Sequence, residues 1–454
     1  MRTVVAPEQA RIEDLLAGEE ARFLREHPRS VALSGRAHES LLAGVPMNWM
    51  VRWASKIPPF VVSSEGARVT DVDGVTYLDF CLGDTGAMAG HAPAATVEAV
   101  IQQTRRGVTF MLPTEDAVWA GQEMARRFGL PQWQFTLTAT DANRFAIRMA
   151  RGLTGRPKIL VFNYCYHGTV DETLGVLDDR GAVTLRPGNM GAPVHPSVTT
   201  RVVEFNDLEG LERELAAGDV ACVLAEPAMT NIGIILPAPG FHDQLRELTR
   251  RAGTLLIIDE THTICAGPGG MTAAARLSPD MVTIGKTIAG GIPAAALGMS
   301  REVADGVLPE MQSDDTDVSG VGGTLAANAL SMAAIRATLE QVLTEDAFHH
   351  MIRVAERFTD GLNDVIHRYG MPWSVTRLGC RAEYVFLPQP PTSGGAAAAA
   401  IDHTLERLMH LHALNRGILL TPFHNMALMS PATQIADVDR HTAVFEEAVA
   451  ELVR

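Results

Sequence analysis

The chain has 454 residues, 38 basic against 53 acidic, a formal net charge of −15 and a hydrophobic fraction of 46%. This composition excludes a disordered chain, and the charge, with no local basic patch, argues against nucleic acid or an anionic membrane as partner. No apolar run reaches the roughly 18 residues that span a bilayer, and Met1–Ser30 has no apolar signal core. Five scattered cysteines, an odd number without a CxxC pair, point away from a disulfide framework or structural zinc. A reducing compartment, the cytoplasm, is the expected location.

In chain order, the first 40 residues read as helix, with Ile12, Leu15, Leu16, Phe23 and Leu24 at helical spacing. Between Phe60 and Phe80 the pattern turns to strand, with a hairpin signal at the turn Asp71-Val-Asp-Gly74. From about residue 90 to 330 short apolar runs alternate with helical patterns. The runs are 159–162, 221–225, 255–258, 281–284 and 296–299, with helices such as 141–152 and 243–252 between them. Strands apolar on both faces and separated by helices predict a mainly parallel sheet. A long helical stretch, 326–361, then leads to a strand at Glu383–Phe386, a loop at 388–395 and a helix over 396–415. The expected division is an N-terminal segment (1–90) packing with a small α+β domain (335–454), and a large α/β domain (91–334).

Two strand ends carry chemistry. Leu255-Leu-Ile-Ile-Asp259 places a carboxylate after four apolar residues, and Met281-Val-Thr-Ile-Gly-Lys286 ends another strand with an amine 27 positions later. Ligands of open α/β sheets gather at the carboxyl ends of strands, so this pair could face one pocket. An ordinary salt bridge at the sheet edge is the alternative. A desolvated lysine can bind an aldehyde covalently, and a carboxylate beside a pyridine nitrogen keeps that ring protonated. Such a cofactor also needs a phosphate cradle at a helix N-terminus, which Thr138-Ala139-Thr140-Asp-Ala-Asn143 supplies ahead of a helix.

These residues, with Tyr166-His-Gly168, Glu226-Pro227, Asn231-x-Gly233, Gly290-Gly291 and Gly323-Thr324, stand in an order that resembles the class III aminotransferases. The branch containing glutamate-1-semialdehyde aminomutase is the most similar. The resemblance runs from about Gly44 to Ala436 and implies the type I pyridoxal phosphate fold, with pyridoxal 5'-phosphate as cofactor. It implies that Lys286 is the Schiff-base lysine and base, that Asp259 faces the ring nitrogen, and that Tyr166 stacks on the ring. Thr138, Ala139 and Thr140 would hold the phosphate. Asn231, Thr261 and His262 would line the cofactor, and Thr324 would complete the phosphate site of the neighbouring subunit in a homodimer. Departures from the family pattern are Ala139 for glycine, Thr261 for valine, Ile264 for glycine and Ala329 for proline.

A carboxylate substrate wants an arginine, whose planar fork binds it bidentately. Arg52 lies near the position where this branch carries one, and Arg381 is the rival. Trp49, Trp53 and Phe423 could wall an apolar pocket, or belong to the core. Three motifs are set aside. Gly285-Lys-Thr287 lacks the first glycine of a phosphate-binding Walker loop, since position 280 is Asp. Gly298-Met-Ser300 fails as a nucleophile elbow at Glu302. His403, His410 and His412 share one helix without a completing ligand and read as a solvated face, so no metal is expected.

The expected function is transfer of an amino group from an amino acid or primary amine to a carbonyl acceptor such as a 2-oxo acid. The alternative is an intramolecular aminomutase, placed second because 422–427 carries no acidic residue where that branch has one. A racemase or decarboxylase on the same cofactor, or a cofactor-binding protein without turnover, completes the set.

Overall fold

The structure is a computed structural model and describes residues 8–313 and 320–454. The chain forms two compact units, a larger one of residues 94–348 and 391–399, and a smaller one of 1–93, 349–390 and 400–454.

The larger unit is built on a seven-stranded sheet. From one edge its strands are Gln132–Thr136, Ala295–Met299, Met281–Ile284, Leu255–Asp259, Val220–Ala225, Lys158–Phe162 and Thr200–Val203. Every residue of Val220–Ala225 and of Met281–Ile284 is buried, as strands covered on both faces require. The helix Ala139–Thr154 packs across five of these strands with Ala142, Ala146, Ile147 and Ala150 on its buried stripe. Thr138 caps its N-terminus, and Gly155, at φ 66°, ends it in the left-handed conformation that favours glycine.

The expected run of parallel strands holds with one exception. Ala295–Met299 is antiparallel to both neighbours, because the short connection from Ile284 to Ala295 contains only one turn of 3-10 helix (Lys286–Ala289) and no crossover. Two strands of this sheet, Gln132–Thr136 and Thr200–Val203, escape a search for apolar runs. Gln132, Gln134, Thr200 and Arg201 break the hydrophobic pattern in these outer strands.

The smaller unit holds the N-terminal helices Gln9–Glu26 and Pro28–Ala37, a four-stranded sheet containing the 71–74 hairpin, and a three-stranded sheet of Ser374–Leu378, Arg381–Val385 and Met426–Leu428. The stretch 326–361 is two helices rather than one, Ala329–Gln341 and Glu345–Tyr369, broken where Leu343 N–H turns back to the carbonyl of Thr338. Likewise 396–415 divides into Gly394–Ala399 and His403–Leu414, the second capped by Asp402.

The histidines of that last helix also differ from expectation. His403 is exposed, but His410 and His412 are buried, His410 beside Asn425 at 3.1 Å. His412 has ligand atoms of Glu19 and Glu451 within 4.8 Å. The Arg416 guanidinium, 2.8 Å from Glu19, already supplies a positive charge there.

Candidate active site

The parallel pairing of Leu255–Asp259 with Met281–Ile284 aligns Asp259 with Thr283, so Lys286 emerges three residues beyond its neighbour's carboxylate. Both therefore stand at the carboxyl edge of adjacent strands. Lys286 has φ 56°, a left-handed backbone that a side chain with a Cβ rarely adopts, and its Nζ lies 2.9 Å from His262 Nε2. The sequence contains three lysines, Lys56, Lys158 and Lys286. The other two pair with acids, Lys56 with Glu20 at 3.1 Å and Lys158 with Asp219 at 3.7 Å.

Two close backbone approaches gather the remaining loops. A Cβ on Gly285 would lie 3.0 Å from Ala139 Cβ, so this glycine brings the Lys286 turn against the N-terminus of helix Ala139–Thr154. A Cβ on Gly168 would lie 2.0 Å from Thr140 Oγ1, and Thr169 N–H donates to that oxygen at 3.2 Å. The Tyr166-His-Gly loop is thereby fixed to the same helix N-terminus. Thr138 accepts the Asp141 N–H at 3.2 Å, a cap that leaves the first-turn amides aligned with the helix dipole.

Asp259 is buried and ionised. Its Oδ2 accepts Asn143 Nδ2–H at 2.9 Å and His167 Nδ1–H at 2.9 Å, and its Oδ1 accepts the Thr261 N–H at 3.0 Å. Burial alone raises a carboxyl pKa. Here the bond and charge of His167, with those from Thr261 and Asn143, outweigh it and hold the carboxyl down to about 2. His167 is moved the other way. Burial lowers it, but Cys165 and the Asp259 carboxylate together raise it well above the ordinary range. Glu260, next in sequence, has a different task. It accepts Thr263 Oγ1–H and the Met271 and Thr272 N–H groups, tying down the helix Gly270–Ala274.

Thus the larger unit brings together Lys286, Asp259, Thr261, His262, Thr138, Ala139, Thr140 and the Tyr166 loop. Asn231 uses its amide on the Tyr164 carbonyl at 3.1 Å. Thr324 is exposed on the loop before helix Ala329–Gln341. Arg52 is exposed in the smaller unit, with its guanidinium 5.8 Å from the Trp49 ring, which in turn meets Phe423 at 5.0 Å. The rival Arg381 is fully buried in that unit. Two groups on Asp259 stand outside the expected set, Asn143 and His167. The signal for Asn143 was present, since it is the polar residue on an otherwise apolar stripe of Ala142, Ala146 and Ile147.

Sequence and structure comparisons give this geometry its family. The Aminotransferase class-III profile matches residues 49–449. A glutamate-1-semialdehyde 2,1-aminomutase of Desulfitobacterium hafniense (strain DSM 10664 / DCB-2) is 34% identical over 422 residues, 90% of this chain and 95% of that one. A crystal structure of a glutamate-1-semialdehyde-aminomutase from Pseudomonas aeruginosa PAO1 superposes with a TM-score of 0.97 at 49% identity, covering 99% of this chain and 100% of that one. A lysine-to-alanine variant of that Pseudomonas protein, in complex with PMP, matches with the same score, identity and coverage. The mainly parallel sheet, the type I fold and the cofactor, pyridoxal phosphate, follow: the chain is a pyridoxal phosphate-dependent enzyme of the transaminase type and belongs to the class III aminotransferases.

Proposed function

We propose that the chain is an intramolecular aminomutase acting on an amino aldehyde of the glutamate-1-semialdehyde type. The observation that carries this reading is the 49% identity and 0.97 TM-score, over 99% of the chain, with a protein of that name. It reverses the order expected from sequence, where the missing acid in 422–427 put the two-substrate aminotransferase first. That missing acid remains the observation favouring the second reading, because a site with less hold on its intermediate would release a ketone and need a separate acceptor.

The residues suit the cofactor. The N-terminus of helix Ala139–Thr154, with Thr138 and Thr140, offers backbone amides and hydroxyls to a phosphate dianion. Asp259 is ionised and buried, the state required opposite a protonated ring nitrogen. When bound, pyridoxal phosphate supplies an electron-withdrawing ring that stabilises negative charge at the carbon losing its proton. Lys286 would hold the group covalently through Nζ, and the same amine, when free, would move the proton at the substrate carbon. His262, 2.9 Å from that amine, orients it and shares its proton. Tyr166, Thr261 and Asn231 would complete the lining, and Arg52 is the arginine proposed for a substrate carboxylate, which its planar fork would take bidentately.

The active unit is read as a homodimer in which Thr324 serves the neighbour's phosphate. Thr324 is exposed, and Ala329 N–H, five residues on, donates to the Val108 carbonyl at 3.0 Å. Met111 and Leu112 are 75% and 73% exposed, an apolar pair in want of cover. All five cysteines are free and buried, in keeping with the cytoplasm, and no helix among the described residues is long and apolar enough to cross a membrane.

The deciding experiment supplies glutamate-1-semialdehyde alone to the pyridoxamine phosphate form, with no 2-oxo acid. Sustained conversion to the isomeric amino ketone supports the mutase. Arrest after one equivalent, with the cofactor left in its pyridoxal form and turnover restarted only by a separate amino donor, would establish the two-substrate aminotransferase instead.

A further inference from the structure

Asn143 sits at the centre of a fully buried hydrogen-bond chain. Thr283 Oγ1 lies 2.6 Å from Asn143 Oδ1, and Asn143 Nδ2 lies 2.9 Å from Asp259 Oδ2 and 3.1 Å from the His167 carbonyl. Asn143 and Thr283 are both 0% exposed, so no water competes for these bonds.

The direction of every bond in this chain is determined. A backbone carbonyl can only accept, so the Asn143 atom facing the His167 oxygen must be the NH2. The opposite orientation would set two oxygens against each other at that distance. With the nitrogen committed to His167, the Asn143 oxygen faces Thr283, whose single hydroxyl proton goes to it. The second N–H of Asn143 then points at Asp259 Oδ2, which must accept. A protonated Oδ2 would place two hydrogens in one bond.

We infer that Asn143, locked by Thr283, is a positioning residue that keeps Asp259 ionised and aimed before any cofactor arrives. The effect on the cofactor passes entirely through Asp259. An ionised, oriented carboxylate favours the protonated ring nitrogen, and a carboxylate that has lost one of its three donors favours it less. The strand register makes the lock possible, since Thr283 is the residue paired with Asp259. The inference rests on the cofactor that the family uses and not on the choice between mutase and two-substrate transfer.

The test uses Asn143→Ala and Thr283→Val in the full-length protein, with Thr283→Ser as the conservative rescue. Pyridoxal phosphate labelled with nitrogen-15 in the ring reports ring protonation by NMR across pH, and fluorescence titration of the apo protein gives its dissociation constant. Both variants should weaken cofactor binding about tenfold and lower the pH at which the ring nitrogen loses its proton by about one unit. Thr283→Ser should retain wild-type behaviour on both readouts. If Asn143→Ala fails to fold, Thr283→Val decides alone. A ring nitrogen that titrates as in wild type in Thr283→Val, or a Thr283→Ser that behaves like Thr283→Val, would overturn the inference. Loss of semialdehyde turnover in the wild type would reject the proposed function and leave these readouts unaffected.

Discussion

Two acids, Asp259 buried in the larger unit and Glu406 half-buried in the smaller, respond to burial in opposite ways. Asp259 in the larger unit is surrounded by donors, and its pKa falls to about 2 although burial works against it. Glu406 in the smaller unit is pushed up to about 7, first by burial and then by its neighbours Glu383 and Asp402. Glu383 has one carboxylate oxygen 3.3 Å from His424 and the other without a hydrogen-bond partner. His410 in the same region is driven down to about 4, chiefly by burial. Burial raises the cost of charge in both places, and the sign of the outcome depends on which partners the fold delivers. A site that must hold a charge is built from donors. A structural cluster can leave an acid such as Glu406 protonated.

The largest expected effect comes from breaking the donor-rich side of this contrast. Asp259→Asn replaces an ionised acceptor by an amide while Asn143, His167 and Thr261 still present three N–H groups. Turnover should fall by about 10²–10³, the range for loss of one electrostatic contact to developing charge. Cofactor absorbance titrated against pH should show the ring nitrogen losing its proton earlier than in wild type. Unchanged turnover would remove Asp259 from the chemistry.

A smaller effect should sharpen the other side. Glu406 is protonated in both states below its ordinary value of 4.5, and between 4.5 and about 7 only the folded form keeps the proton. Its contribution to stability is therefore complete below 4.5 and is lost as pH rises through 7. Glu406→Gln should leave stability at pH 4.5 nearly unchanged and raise it by about 1–2 kcal/mol over wild type at pH 8. Urea unfolding at both pH values measures this. An equal change at both would show that Glu406 is ionised in the folded protein. Asp259 has the opposite window, since its contribution is present above 3.8 and is lost as pH falls through about 2.

Much of this arrangement was legible in the residues. Five apolar runs gave five of the seven central strands, because interior strands with two covered faces leave a continuous hydrophobic signature. The two strands that were missed carry Gln, Thr and Arg in the outer part of the sheet. The Asp259 and Lys286 strand ends were readable as a pair because each follows an uninterrupted apolar run. The antiparallel course of Ala295–Met299 was not, since direction is set by connection geometry and not by composition. Asn143 stands out locally as the polar residue on the apolar stripe of Ala142, Ala146 and Ile147, but nothing local marks it as a partner of Asp259. Its bonds to Asp259 and to the loop of His167 join residues 116 and 24 positions apart, contacts that no local pattern encodes. His410 and His412 differ from expectation in the reverse sense, for residues whose spacing suggests a solvated face are buried. The helix His403–Leu414 carries buried side chains at eight of its twelve positions, so it has no broad wet face for them.

The central claim is that the turn after Met281–Ile284 presents Lys286 as the covalent anchor, opposite a carboxylate fixed as an anion. Borohydride reduction of the cofactor-loaded protein, followed by peptide mapping, tests it most directly, because the sequence contains only Lys56, Lys158 and Lys286. The account predicts a reduced cofactor on the peptide containing Lys286 and no label in Lys286→Ala. A label on the peptide of Lys56 or Lys158 in the wild-type protein would contradict it.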